Sequence, residues 1–352
     1  KKLIIIDPVK TELAKMADYH IQLRPGTNVA VLNMILYFIL EAGLEKKTFI
    51  KERCEGFEDF EKEIKKLNID DLEKVCGVSR KLIKKAATAY ATAKNSIEFH
   101  GLGVTEHTQG SKTVMLIADL AMITGNLGRK GVGVNPLRGQ NNVQGAADMG
   151  CQPHQGAGYL AVADKKIQDF YTEKYGVAHP TKAGLKIPQI FDAAINGSLK
   201  AVWIIGEDVV QTDPNSAHVI KAMKSLDLLV VQEIFMSETA KLATVVLPGT
   251  SFLEKNGTFT STERRIQKVN QVAKPFPGSK PDGVIVTEMM QRLGYKQPIY
   301  DADQVLAEIA DVVPFFKGVT RKRLGELGLQ WPVKEDGAST KILHTETFKL
   351  GK

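Results

Sequence analysis

The 352-residue chain predicts an α/β fold in two related halves, each built on parallel strands. Three observations carry this expectation. Short aliphatic runs alternate with helical stretches, which is the rhythm of β–α–β units. A strand–acid–helix–strand pattern occurs twice. Between the two copies lies a glycine-rich segment with little helix or strand character.

The elements follow in order. Leu3-Ile4-Ile5-Ile6 before Asp7-Pro8 reads as a buried parallel strand. A helix starts at about Thr11, a short strand covers Tyr19 to Leu23, and Pro25-Gly26 makes a turn. Asn28 to Glu41 is a buried helix. The charged stretch from Lys46 to Lys94 is helical, with Ser79 capping one helix. Asn95 to Val104 is strand-like, and Ser111 opens an apolar helix that ends near Gly125. From Gly125 to Gly158 there are nine glycines in 34 residues, read as a long loop with a functional reason to exist. The α/β rhythm then returns. Leu199–Gly206, Leu228–Gln232 and Ala243–Leu247 are strands, Ser216–Ser225 is a helix, and another helix starts near Ser237. Asn256-Gly257 suggests a turn between extended segments. Val284–Leu293 is a helix, and the last 50 residues or so form peripheral helices and loops.

Composition narrows the function classes. Hydrophobic residues make up 43% and charged residues 25%, which excludes disorder as the main state. At roughly 150 residues per domain, two or three domains are expected. No apolar run approaches the roughly 18 residues of a membrane span. No export signal is recognisable, and Cys54, Cys76 and Cys151 are too scattered for a disulfide framework, so a reduced, cytoplasmic setting is expected. The net charge is +7, but the basic residues are dispersed and lack nucleic-acid signatures, so no nucleic-acid partner is expected.

The repeat sharpens the fold. Ile5-Ile6-Asp7, Thr11–Ala17 and Pro25-Gly26-Thr27 match Val231-Gln232-Glu233, Ser237–Ala243 and Pro248-Gly249-Thr250. In Rossmann-like halves, an acid at a strand end binds ribose some 20 residues after the phosphate loop. Asp7 and Glu233 stand in such positions. Gly206-Glu207-Asp208 supplies an upstream loop for Glu233. For Asp7 the corresponding strand and loop would precede Lys1, so the chain reads as part of a longer protein.

Smaller motifs are weaker. Cys151 and His154 are two ligands, whereas structural zinc takes four. His100 and His107 flank Gly101 and Gly103 and read as core or surface residues. Asp70-Asp71 reads as a solvated helix start, and Trp203 as core.

The central segment is the most specific. Five amides and Arg138 sit among glycines in Gly131-Val-Gly-Val-Asn-Pro-Leu-Arg-Gly-Gln-Asn-Asn-Val-Gln-Gly145. Such a run can offer many donors to an anionic ligand, and arginine can fork onto a carboxylate or phosphate. Together with Thr124–Gly128, Ala146–Gly150, His100–Thr105, Gly206–Asp213 and Gln232–Ala240, it resembles the catalytic subunit of molybdenum- or tungsten-dependent formate dehydrogenases of the DMSO reductase family. The resemblance runs from about Leu3 to about Pro332.

That resemblance implies the following. The cofactor is bis(molybdopterin guanine dinucleotide) with molybdenum or tungsten, and formate is oxidised reversibly to carbon dioxide. Electrons leave through iron–sulfur clusters to an electron-transfer subunit or another iron–sulfur protein. Arg138 orients formate beside the metal. Gly103 and Gln140 line the pterin. Asp7, Pro8, Leu23, Gly26 and Asn28 form one guanine-nucleotide pocket; Gly206, Asp208, Thr212, Gln232, Glu233 and Asp282 form the other. No metal ligand lies in the chain. The family's 4Fe–4S cysteines and its metal-ligating cysteine or selenocysteine are expected ahead of Lys1, and its last pterin-binding domain after Lys352. The chain alone is therefore expected to be inactive. Residues 1–140 and 141–251 are expected to be parts of two Rossmann-like domains, and 252–352 a peripheral segment of the N-terminal-side domain. Four positions depart from the family pattern: Glu106 for glutamine, Val9 for a basic residue, Gly249 for serine and Gly283 for tryptophan. A nitrate-reducing relative, or a non-catalytic subunit resembling the large iron–sulfur subunit of respiratory complex I, are the competing readings.

Overall fold

The computed structural model describes residues 1–348 and 351–352. The chain forms two compact units, residues 1–139 with 341–352 and residues 140–340. Residues 252–340 thus lie in the second unit, and only 341–352 in the first.

In the first unit, β1 (Ile4–Ile6) pairs in parallel with β2 (Tyr19–Ile21), joined by the short α1 (Glu12–Lys15). The Thr11 hydroxyl caps α1 by accepting from the Ala14 amide at 3.2 Å. Next come α2 (Asn28–Glu41), α3 (Lys47–Arg53), α4 (Phe57–Lys65), α5 (Ile69–Cys76) and α6 (Arg80–Thr92). α2 is apolar on nearly every side, so it is buried on nearly every side. Val31, Met34, Leu36 and Ile39 are sealed from water, each contributing on the order of 2 kcal/mol by transfer. Around them pack Ile21, Leu23, Ile64, Ile83 and Leu120. β3 (Ile97–His100) pairs in parallel with β4 (Gly133–Pro136), and α7 (Leu102–Thr105) and α8 (Gly110–Ile123) connect them.

The second unit begins with α9 (Val143–Asp148), the short antiparallel pair β5 (Gln155–Gly156) and β6 (Leu160–Ala161), then α10 (Lys165–Tyr175) and α11 (Ile187–Ile195). β7 (Ala201–Ile205), β8 (Leu228–Glu233) and β9 (Val245–Pro248) form a parallel sheet in that order. α12 (Val209–Thr212) and α13 (Ser216–Lys224) connect β7 to β8. α13 and α11 bury Val219, Met223 and Phe191 against Leu229 and Val231. A second sheet is antiparallel: β10 (Gly257–Thr260), β11 (Arg265–Val269) and β12 (Leu329–Gln330). α14 (Asp282–Arg292), α15 (Ala302–Val312) and α16 (Arg321–Leu324) complete the unit.

Several local expectations differ from the structure. The glycine-rich segment is not one long loop, because Gly133–Pro136 finds β3 as a partner and Val143–Asp148 closes a helix. The stretch after His100 leaves the strand and turns into α7. After Ser237 only a 3-10 turn forms, at Ala240–Leu242. The hairpin turn lies at Ser261–Arg264, not at Asn256-Gly257; the Arg264 amide donates to the Ser261 carbonyl at 2.9 Å, and Arg264 has φ 67°. The C-terminal region has a core of its own, where Leu306, Val313, Phe316, Leu324 and Val333 close over Ile266. The β3–β4 pairing and the C-terminal core depend on partners distant in sequence, which local pattern cannot supply.

Candidate functional site

In open α/β sheets, ligands bind at the carboxyl ends of parallel strands. In the first unit, β1 and β2 end at Ile6 and Ile21. Asp7 follows immediately; its Oδ1 accepts from the Val9 amide at 2.7 Å, and the His20 ring meets its carbonyl at 3.0 Å. The Gln22 amide donates to the Pro8 carbonyl at 3.1 Å. Leu23 is buried below, and Gly26 turns the chain at φ 83°. Asn28 opens α2, and its Nδ2 donates to the Gly103 carbonyl at 3.3 Å. That bond joins the end of the first strand pair to the end of the second. Asp7, Pro8, Leu23, Gly26, Asn28 and Gly103 are thus gathered at strand ends of one unit.

β3 and β4 end at His100 and Pro136. The Leu137 amide donates to the His100 carbonyl at 2.7 Å, and exposed Arg138 follows. His100 is only 7% exposed, and its Nδ1 is sealed off with no partner. Burial, with the nearby Arg138 charge, lowers its pKa.

The second unit repeats the arrangement. Gly206 leaves β7 at φ 65°, and its amide donates to the Gln232 carbonyl at 2.9 Å. Asp208 works as a clamp: Oδ1 accepts from the Thr239 amide at 2.9 Å and hydroxyl at 2.6 Å, and Oδ2 from Gln211 at 2.7 Å. Burial opposes the Asp208 charge, but these bonds outweigh it and hold the carboxyl below its usual range. The Thr212 hydroxyl donates to Glu207 at 2.6 Å. Glu233 ends β8, where its Oε1 accepts from the Ile234 amide at 2.7 Å.

Gln232 is 1% exposed. Its Nε2 donates to Asp282 Oδ1 at 2.7 Å, and its Oε1 is sealed without a partner. The Lys255 ammonium bonds the other Asp282 oxygen. Gly249 and Gly283, two of the positions expected to depart from the family pattern, both lie against other side chains. A Cβ at Gly249 would stand 3.0 Å from Asp282 Oδ1, so glycine leaves that oxygen room. A Cβ at Gly283 would stand 2.4 Å from the Tyr300 ring, which fills that space.

The amide-rich run is divided in its use. Asn135 donates to the Glu98 and Gly133 carbonyls at 3.2 and 3.0 Å, and Asn142 accepts from the Thr260 amide at 2.9 Å. Gln144 donates at 2.9 Å to Asp148, a carboxylate with no exposed surface. Asp148 also accepts from Tyr159 at 2.8 Å and Trp331 at 2.9 Å. Three of the five amides therefore serve the fold, while Gln140 is exposed. The sequence reading missed Lys255, Thr239 and Asp148. Only Asp148 had a signal, its place inside the central motif.

A family profile for molybdopterin oxidoreductases matches residues 1–292. The chain belongs to the molybdopterin oxidoreductase family. Among its relatives in that family, the alpha subunit of an F420-dependent formate dehydrogenase from Methanocaldococcus jannaschii is 43% identical over 99% of this chain and 52% of its own length. Formate dehydrogenase H of Escherichia coli is 40% identical over 99% of this chain and 49% of its own. The fold is similar to that of acetylene hydratase from Pelobacter acetylenicus, with a TM-score of 0.72 at 21% identity, over 96% of this chain and 49% of that one. The chain thus spans about half the length of the relatives it matches. Among the described residues, no helix is long and apolar enough to cross a membrane.

Proposed function

We propose that this molybdopterin oxidoreductase is the formate-oxidising subunit of a formate dehydrogenase, acting reversibly on formate and carbon dioxide. The observation that carries the reading is Arg138, exposed just past the carboxyl end of β4, in a chain about 40% identical throughout to formate dehydrogenase alpha subunits. The cofactor is read as bis(molybdopterin guanine dinucleotide) with molybdenum or tungsten. A 4Fe–4S cluster elsewhere in the protein and an electron-transfer partner complete the route for electrons. A cytoplasmic setting fits this assignment.

The residues present suit the nucleotide ends of such a cofactor. Guanine offers an N1–H and an exocyclic amine, both donors. Asp282, whose side chain is one-third exposed, presents carboxylate oxygens beside Gly249, where no side chain intervenes. Gly206, Asp208, Thr212 and Glu233 would hold the rest of that nucleotide. Asp7, Pro8, Leu23, Gly26 and Asn28 would hold the other, with Gly103 and Gln140 against the pterin. When bound, the cofactor's metal supplies the two-electron acceptor.

This chain's own contribution is positioning. The Arg138 guanidinium can grip both formate oxygens, which fixes the direction of the C–H bond. Its charge also draws in the anion and favours formate over the neutral product. In the whole enzyme, Arg138→Ala should cut formate-dependent dye reduction by about a hundredfold or more, the loss of a bidentate charged contact. Unchanged kcat and KM would refute the assigned role. Nitrate reduction without formate oxidation by the wild type would move the reading to another substrate.

A further inference from the structure

Three separate parts of the fold meet at one carboxylate. Asp282 opens α14, Gln232 lies near the end of β8, and Lys255 lies between β9 and β10. Each partner takes a different oxygen. Gln232 Nε2 donates to Asp282 Oδ1 at 2.7 Å, and the Lys255 ammonium donates to Oδ2. Lys255 is anchored in turn, because its Nζ also donates to the Thr250 carbonyl at 3.1 Å. Gln232 is almost wholly buried, so its amide is fixed in place.

A carboxylate bonded at one oxygen can still turn about its Cβ–Cγ bond. A carboxylate tied at both oxygens by two different elements is held in one plane. It also has acceptor capacity to spare, since a carboxylate offers about four lone-pair sites. The Asp282 side chain keeps 34% of its surface exposed, and no side chain at Gly249 covers Oδ1. Each oxygen can therefore accept again, in a direction set before any ligand arrives. Orientation fixed in advance is not paid for on binding. The ammonium also offsets the carboxylate charge, so a neutral ligand lying over Asp282 leaves no unpaired anion beneath it.

Two acceptors side by side match a ligand edge with two adjacent donors. Guanine has this edge in its N1–H and exocyclic amine. Hypoxanthine keeps only the N1–H, and adenine presents an acceptor at N1. We propose that Lys255 is a positioning residue that sets base specificity: by locking Asp282 it makes the pocket distinguish guanine from hypoxanthine as well as from adenine. This rests on the nucleotide reading above. Lys255 acts through Asp282 and touches no reacting atom.

Calorimetric titration of the whole protein, freed of cofactor, tests this with GDP, IDP and ADP as probes. Wild type should bind GDP about tenfold or more tighter than IDP. Lys255→Met, similar in length but uncharged, should bring that ratio down to about threefold or less. Lys255→Arg, which keeps the charge and still donates, should restore most of it. A lysine that only stabilised the fold would lower both affinities by one factor and leave the ratio alone, and that result overturns the proposal. Equal affinity of wild type for GDP and IDP overturns it with no variant needed. In either case GDP preferred over ADP keeps the guanine pocket and removes only the role of Lys255. No binding of any of the three nucleotides refutes the nucleotide reading itself, and the proposal falls with it.

Discussion

Gln232 and Asp282, fifty residues apart in the chain, meet in a 2.7 Å hydrogen bond at the carboxyl end of the parallel sheet. The bond occupies one amide donor and one carboxylate oxygen. It leaves the Gln232 carbonyl sealed and unpaired. On the cofactor reading proposed above, a guanine ring would bring donors to the Asp282 carboxylate. The whole protein, freed of cofactor, should therefore bind GDP in preference to ADP by calorimetric titration. Asp282→Ala should weaken GDP binding by about tenfold or more, because hydrogen bonds to a charged group carry roughly 1.5–3 kcal/mol. Equal affinity for GDP and ADP would remove guanine from this pocket.

Asp148 gathers Gln144, Tyr159 and Trp331 around one fully buried carboxylate. Asp148→Ala strands several buried donors together. It should cost about 3 kcal/mol or more in chemical denaturation, whereas Asp148→Asn, which keeps an acceptor, should cost less. Equal losses for the two would show that side-chain volume, not hydrogen bonding, sets the stability.

Gly128 lies at φ 72°, and a Cβ there would come within 2.4 Å of the His344 carbonyl. Arg53 holds the same segment by donating to the His344 and Thr345 carbonyls, with its guanidinium near the Phe49 and Phe348 rings. Gly128→Ala should therefore loosen residues 341–348 and expose them to limited proteolysis, with a stability loss of about 1 kcal/mol or more. A digestion pattern identical to wild type would show that the segment is held by other contacts.

The raised Glu98 pKa has a definite sign in stability. The ordinary value is 4.5, and burial moves it to about 8 in the folded chain. Between these values the folded state binds more protons than the unfolded state. The Glu98 contribution is complete below the unfolded value and is lost as pH rises through the folded one. Thermal unfolding of wild type should thus lose stability from about pH 5 to about pH 8 relative to Glu98→Gln. Parallel pH curves for the two proteins would mean that Glu98 is ionised in the fold.

The local elements were readable because each carries a short-range signal. Thr11 and Ser79 cap the helices that follow them. The largely apolar run from Asn28 to Glu41 is a buried helix with those ends. Pro25-Gly26 turns the chain. Two of the misread places share one cause. β4 exists because Gly133–Pro136 lies beside Ile97–His100, and β12 because Leu329–Gln330 lies beside β11. Neither partner is near in sequence.

The parallel α/β class, the strand-end position of Asp7 and Glu233 and the Arg138 motif could all be read from residue order alone. The first two depend on neighbours within about twenty positions, where propensity and periodicity operate, and the Arg138 motif was legible through its resemblance to a known family. The tertiary structure alone decided which polar groups pair within the fold and which stay unpaired. It placed Lys255 on Asp282, put Thr239 on Asp208, and left Nδ1 of His100 and Oε1 of Gln232 unpaired. A hydrogen-bond partner is a matter of ångströms in space. Sequence separation does not encode that distance once the chain has folded back on itself.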